Sequence, residues 1–344
     1  MIVNNDELKT KLKYLGFGIS KSSLTINTHV ISFSTINNKV YAFTYNKINN
    51  IGIYIGDTTE DFKAMVSYDL FTKLINSCDG DIELTITTKC INIKATNLKC
   101  KVPIINMGTT YNFPNPIENK SKYVYDLNNN LKISLIKSII DTNHIIEAYR
   151  KICFNDVILV SDTENVLKIN EKIFNENVLL DFSSIELLTI LNNVKYFFTS
   201  NSSNLCIMSD ELFAKIEVDT NKNNDFQYTD FIDLFSTILG KKTEIDTKSL
   251  LKATNTAEIF KNPINLTFNR DGVFIKVDNN GFSYKISDKA CDTYTYEVDL
   301  PIIKKICTID NIVSIYYTNE DLIRCDNSDG SISEIISAKS IKEA

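Results

Sequence analysis

The chain has 344 residues, 43% hydrophobic and 23% charged, with only 10 Gly and 5 Pro, which excludes wholesale disorder and a collagen-like or low-complexity chain and suggests two or three domains. Its 37 basic and 43 acidic residues leave a net charge of −6, excluding a uniformly basic coat without saying where the charges lie. No run approaches the roughly 18–20 apolar residues that span a bilayer, and MIVNNDELKTKLKYLGFGIS lacks an apolar signal core, so a cytoplasmic protein with no membrane partner is expected.

Near the start, Leu8, Leu12 and Leu15 share one helical face, and Asp6 stands where an N-cap would. HVISFSTINNKVYAFTYN (29–46) reads as strands joined by a hairpin, since Asn37-Asn38 tolerates positive φ. Residues 62–105 then follow one grammar: short strand, short amphipathic helix, polar turn, alternating strands. NFPNPIENKSK (112–122), with two prolines and polar filler, marks a boundary.

Leu131, Leu135 and Ile139 predict a second opening helix within 127–144, and 151–169 supply its strands. Residues 178–218 repeat the grammar of 62–105. After polar DTNKNND comes FQYTDFIDLFSTILGKKT (226–243), too apolar for a free linker and read as a packed connector. IDTKSLLKATNTAEIF (245–260), with Asp246 at the N-cap, and the strands of 264–286 open a third unit that 294–337 closes. Matching Leu70-Phe71, Leu187-Leu188 and Ile302-Ile303 gives offsets of 117 and 115 residues. We therefore expect three α+β repeats at 1–118, 119–225 and 226–344, each β-α-β-β-β-β-α-β-β-β with antiparallel sheets.

The sequence holds no GxGxxG, P-loop or GxSxG. Its eight cysteines form no CxxC and read as buried reduced thiols. His29 and His144 are the only histidines, which excludes a multi-histidine metal site. Asp79-Gly80-Asp81 and Asp162-Thr163-Glu164 read as turns. No cofactor, metal or catalytic residue is expected.

The informative charges are lysines on or beside the six predicted helices: Lys9 and Lys13, Lys73, Lys132 and Lys137, Lys195, Lys248 and Lys252, Lys304 and Lys305. One such set is an ordinary solvated face. Recurrence in three units suits neutralising phosphate without reading bases.

With this repeat, VSYDLFTKLINSCDGDIELTI (66–86), LKCKVPIINMGTTYNFP (98–114) and Arg150 with ICFNDVILVSDTENVLKI (152–169), the chain resembles the sliding DNA clamps of the bacterial DNA polymerase III beta-subunit type. That resemblance implies three clamp domains with helices inside and sheets outside, two copies closed head to tail around double-stranded DNA, and DNA polymerase and a clamp loader as partners. It implies a partner-peptide pocket at Asp162, Thr163, Val166, Ile335 and Ile336, with Phe231 and Leu234 from the connector, and a subunit interface at Ile259 and Phe260. The family usually carries Ala-Thr-Asp-Gly-His-Arg-Leu where Val160-Ser161-Asp162-Thr163-Glu164-Asn165-Val166 stands here, and a C-terminal Met-Pro-x-Arg-Leu where this chain ends SEIISAKSIKEA. Those departures imply an altered pocket, unlike partners, and a phage or mobile-element member. The alternative is a non-enzymatic protein-binding β-scaffold with no nucleic-acid role, monomeric and indifferent to lysine position.

Overall fold

The computed structural model describes residues 1–20, 29–105, 133–140, 144–175, 177–190, 194–198, 203–219, 228–260, 263–277, 281–288, 292–318 and 320–341. In chain order the first run is β1 (Ile2–Val3), α1 (Asn5–Gly16), β2 (Val30–Ile36), β3 (Lys39–Tyr45), β4 (Asn49–Asp57), β5 (Lys63–Ser67), α2 (Tyr68–Asn76), β6 (Ile82–Ile86), β7 (Cys90–Lys94) and β8 (Lys99–Pro103). The second is α3 (Ile133–Ile139), β9 (Lys151–Phe154), β10 (Ile158–Ser161), β11 (Asn165–Ile169), β12 (Val178–Asp181), α4 (Phe182–Ile190), β13 (Lys195–Phe198), β14 (Asn204–Met208) and β15 (Leu212–Glu217). A connector helix, α5 (Tyr228–Thr237), follows. The third is β16 (Lys241–Asp246), α6 (Thr247–Ala257), β17 (Ile264–Asn269), β18 (Gly272–Val277), β19 (Phe282–Ser287), β20 (Tyr294–Val298), α7 (Leu300–Ile306), β21 (Ile312–Tyr317), β22 (Leu322–Asn327), β23 (Ile332–Ser337) and β24 (Lys339–Ser340). The order strand, helix, four strands, helix, three strands thus appears in the first run, in the third with the short β24 added at its end, and from its first helix onward in the second. That is the expected α+β grammar.

The chain forms two compact units, Met1–Asn130 with Ser183–Asp219, and Leu131–Phe182 with Thr220–Ala344. The first holds a four-stranded sheet, β1-β6-β7-β8, and a seven-stranded sheet, β13-β14-β15-β4-β3-β2-β5. The second holds an eight-stranded sheet, β12-β9-β10-β11-β23-β22-β21-β16, and a five-stranded sheet, β19-β18-β17-β20-β24. All described ladders are antiparallel, as in β11 on β23, where Val166 faces Ile335. The two larger sheets each join strands of successive runs, so a two-way division cuts across the repeat.

In the first unit, Leu8, Leu12 and Leu15 of α1 are each at most 1% exposed, with Phe71 and Ile75 of α2 beside them in the core. The Tyr68 hydroxyl donates to the Leu12 carbonyl at 2.8 Å and ties the two helices. Asn4, not Asp6, is the N-cap of α1: its side chain accepts from the Glu7 N–H, and Asp6 lies in the first turn. In the second unit Asp246 does cap α6, accepting from the Ser249 N–H at 2.9 Å. Leu250, Ala253 and Ala257 point into the core, where the rings of Phe268 and Tyr317 stack at 4.1 Å. Asn37 and Asn38 take the expected positive φ. Cys78, Cys153, Cys206 and Cys325 are buried thiols and Cys90, Cys100 and Cys307 are half-buried; Cys291 lies outside the described residues.

Candidate nucleic-acid interface and peptide seat

The helices present their lysines because their apolar residues claim the opposite stripe. In the first unit Lys13 and Lys73 are exposed on α1 and α2. Lys9 is half-buried, its ammonium donating to the Cys78 carbonyl at 3.4 Å. Lys195 is exposed but sits on β13 rather than on a helix. In the second unit Lys137 of α3 is exposed, as are Lys248 and Lys252, one turn apart on α6. Lys304 and Lys305 of α7 are half-buried; Lys304 pairs with Glu258 at 2.7 Å, and Lys305 acts electrostatically on buried Glu334. Lys132 lies outside the described residues.

The pocket residues fall into three groups. Val166 and Ile335, 3% and 1% exposed, belong to one apolar cluster on a face of the eight-stranded sheet, with Leu159, Cys153 and Leu179. Helix α5 lies on that cluster, with Phe235 and Ile238 buried in it and Tyr228, Phe231, Ile232 and Leu234 packed half-buried against it. The structure therefore brings together four expected residues: Val166, Ile335, Phe231 and Leu234.

Asp162 and Thr163 instead build the β10–β11 turn. Thr163 has φ 79°, and an Asp162 carboxylate oxygen accepts from the Asn165 and Glu164 N–H groups at 2.6 and 3.0 Å. Ile336 is a correction. Successive strand residues point to opposite faces, so Ile336, fully buried, fills the other side of the sheet from Ile335 and stands outside the cluster.

One participant escaped the sequence reading. Arg324 on β22 lies across from Ile335, and its Nε and Nη2 grip Asp326 at 2.8 and 2.7 Å while Nη1 donates to the Phe235 carbonyl. The Phe235 ring lies 6.0 Å from that guanidinium and 4.7 Å from the Lys168 ammonium. Burial, and then the Arg324 charge, press the Lys168 ammonium below its ordinary pKa. Burial alone pushes the neighbouring Cys153 thiol up to about 12, so it is inert as a nucleophile.

Ile259 and Phe260 form a 3-10 turn after α6. Ile259 is 74% exposed, and the Phe260 ring lies 5.2 Å from Phe282 on β19. Among the described residues β19 is an unpaired edge of the five-stranded sheet, as β8 is of the four-stranded one. No group of three His, Cys, Asp or Glu among the described residues is placed to hold a metal, and no helix there is long and apolar enough to cross a membrane.

No protein-family model and no curated protein matches the chain. Solved structures match it end to end. The DNA polymerase III beta subunit of Thermotoga maritima aligns with a TM-score of 0.79 over 100% of this chain and 99% of its own, at 11% identity. The Helicobacter pylori beta clamp bound to a DNA ligase peptide aligns at 0.74 over 98% and 99%, with 14% identity. The beta subunit of Streptococcus pyogenes DNA polymerase aligns at 0.75 over 98% of each chain, with 13% identity. The chain has the beta-clamp fold.

Proposed function

We propose that the chain is a sliding clamp, a processivity factor that encircles duplex DNA and tethers DNA polymerase without sequence specificity. The observation that carries this reading is the end-to-end likeness to beta clamps. Encirclement is topological, so the function requires no catalytic residue and no cofactor. On this reading it works in the cytoplasm with a polymerase and a clamp loader, and its domains run 1–118, 119–225 and 226–344.

Unpaired sheet edges support ring closure. The sheets joining successive runs have seven and eight strands; those built from the chain's outer runs have four and five. A sheet edge is a row of unpaired N–H and C=O groups. Pairing β8 of one copy with β19 of a second, head to tail, would satisfy both edges and join the two smaller sheets into one of nine described strands. Exposed Ile259 beside Phe260 supplies the apolar contact at that junction. Two such contacts close a homodimer.

Lys9, Lys13, Lys73, Lys132, Lys137, Lys195, Lys248, Lys252, Lys304 and Lys305 then line the hole and meet phosphates as point charges. An acidic chain with its cations gathered inward slides rather than sticks. The partner-peptide pocket centres on Val166 and Ile335, the strand residues against which α5 packs, with the Asp162–Thr163 turn leading into the strand of Val166.

The test is mass in solution together with retention on circular against linear DNA. Twice the 39.1 kDa chain mass and retention on circles alone are expected. A strict monomer at micromolar concentration, or equal loss from both DNA forms, overturns the reading.

A further inference from the structure

We infer that helix α5 occupies the peptide seat in cis, so that a partner segment binds by displacing it; this rests on the pocket placement proposed above. Val166 and Ile335 are 3% and 1% exposed. A close-packed floor admits no further side chain until something leaves. What covers it is α5, through Phe231, Leu234, Phe235 and Ile238.

The cover is built to come off. A ten-residue helix is marginal by itself and persists here through its docked face. Among the described residues its polar ties include the Arg324 hydrogen bond to the Phe235 carbonyl, supported by the two cations flanking the Phe235 ring, and a hydrogen bond between the Tyr228 hydroxyl and the Val157 backbone. Leaving therefore breaks these side-chain ties and an apolar contact, and leaves every ladder of the eight-stranded sheet intact.

The occupant also describes its competitor. Leu234 and Phe235 put adjacent aliphatic and aromatic side chains onto the cluster, while Asp230 and Asp233 stay exposed on the same helix. Lys168 and Arg324 beneath favour an occupant with negative flanks. A displacing partner is a short acidic segment with an aliphatic–aromatic pair. A tethered helix competes at an effective concentration of the order of millimolar, and the affinity of any partner falls by the fraction of time the seat is open.

The probe is a labelled synthetic peptide of residues 228–239, titrated by fluorescence anisotropy against the full chain and against its L234S/F235S variant, whose fold is checked by circular dichroism. The variant should bind the peptide at least tenfold more tightly than the parent chain. Equal affinities, or a folded variant that binds none, overturn the proposal. Hydrogen exchange on the unaltered chain decides independently of the variant's folding. Amides of 232–238 should exchange at least a hundredfold faster than those of β11 and β23, and equal rates would mean that α5 opens only on global unfolding. Neither readout involves DNA, so failure on circular DNA would remove the clamp and leave the occupied seat standing.

Discussion

Lys304 of α7 and Glu258 of the turn after α6 form an ion pair, Nζ to Oε2 at 2.7 Å, with side chains 33% and 58% exposed. A pair this exposed adds roughly 0–1 kcal/mol to stability. On the proposed clamp reading its effect falls on DNA binding, because a cation that already has a carboxylate partner releases fewer counterions on meeting phosphate. Lys248 and Lys252 make no ion pair within 4 Å among the described residues. In anisotropy titrations across salt, K248Q/K252Q should lower the slope of log K against log salt by about 2. K304Q should change it by less than K248Q does, and E258Q should tighten binding. Equal slopes for all variants would return these lysines to ordinary solvated faces.

The exposed Ile259 offers a clean test of ring closure. A surface substitution away from special features changes stability by about 0.5 kcal/mol or less, so I259D should leave the fold intact. Combined with F260D it should convert the proposed dimer into folded monomers, read by light scattering after size exclusion. A variant that stays dimeric with full retention on circular DNA would place the junction elsewhere.

The architecture was legible because its signals are local. Leu8, Leu12 and Leu15 repeat at helical spacing, Asn37-Asn38 takes the positive φ that few residues tolerate, and the strand–helix–strand grammar recurs at near-constant offset. The cap of α1 was misread because Asn4 and Asp6 both carry acceptors, and the choice depends on which backbone first turns helical. The seat was half legible. Val166 and Ile335 were reached through the family resemblance alone, and adjacent Ile335 and Ile336 face opposite ways, which only the register with β11 decides. Arg324 gave no signal at all. Its partner Phe235 is 89 residues away in the chain, and one arginine in a strand reads as solvated.

Arg324 and Asp326, with side chains 13% and 8% exposed, form a largely buried bidentate pair. Removing one member of such a pair strands a charge and costs about 3–5 kcal/mol, whereas replacing both by apolar residues is often near neutral. R324A and D326A should each lower urea stability by that order, and R324M/D326L should cost far less than their sum. Additive losses would show that the charges act separately.

Glu334 is the group whose titration should be visible in global stability. It is 2% exposed on β23, opposite Leu167 and Cys325, and its Oε1 accepts no hydrogen bond. Burial lifts its carboxyl from 4.5 to about 7, against the lowering effect of Lys305 on α7 and with a small push from Asp162. The folded chain therefore holds a proton that the unfolded chain releases between about pH 4.5 and 7. The folded state binds more protons in that window, so stability falls as pH rises through it. The contribution is complete below about pH 4.5 and is lost progressively as the pH climbs through 7. E334Q keeps the neutral shape and removes the proton. Urea unfolding at pH 5, 6, 7 and 8 should give a declining curve for the parent chain and a flatter one for E334Q. The two should converge near pH 5 and differ by on the order of 2–3 kcal/mol at pH 8, from a shift worth about 1.4 kcal/mol per unit. Parallel curves would mean that Lys305 swings in to pair with the ionised carboxylate, so that Glu334 carries its charge in the folded core without penalty.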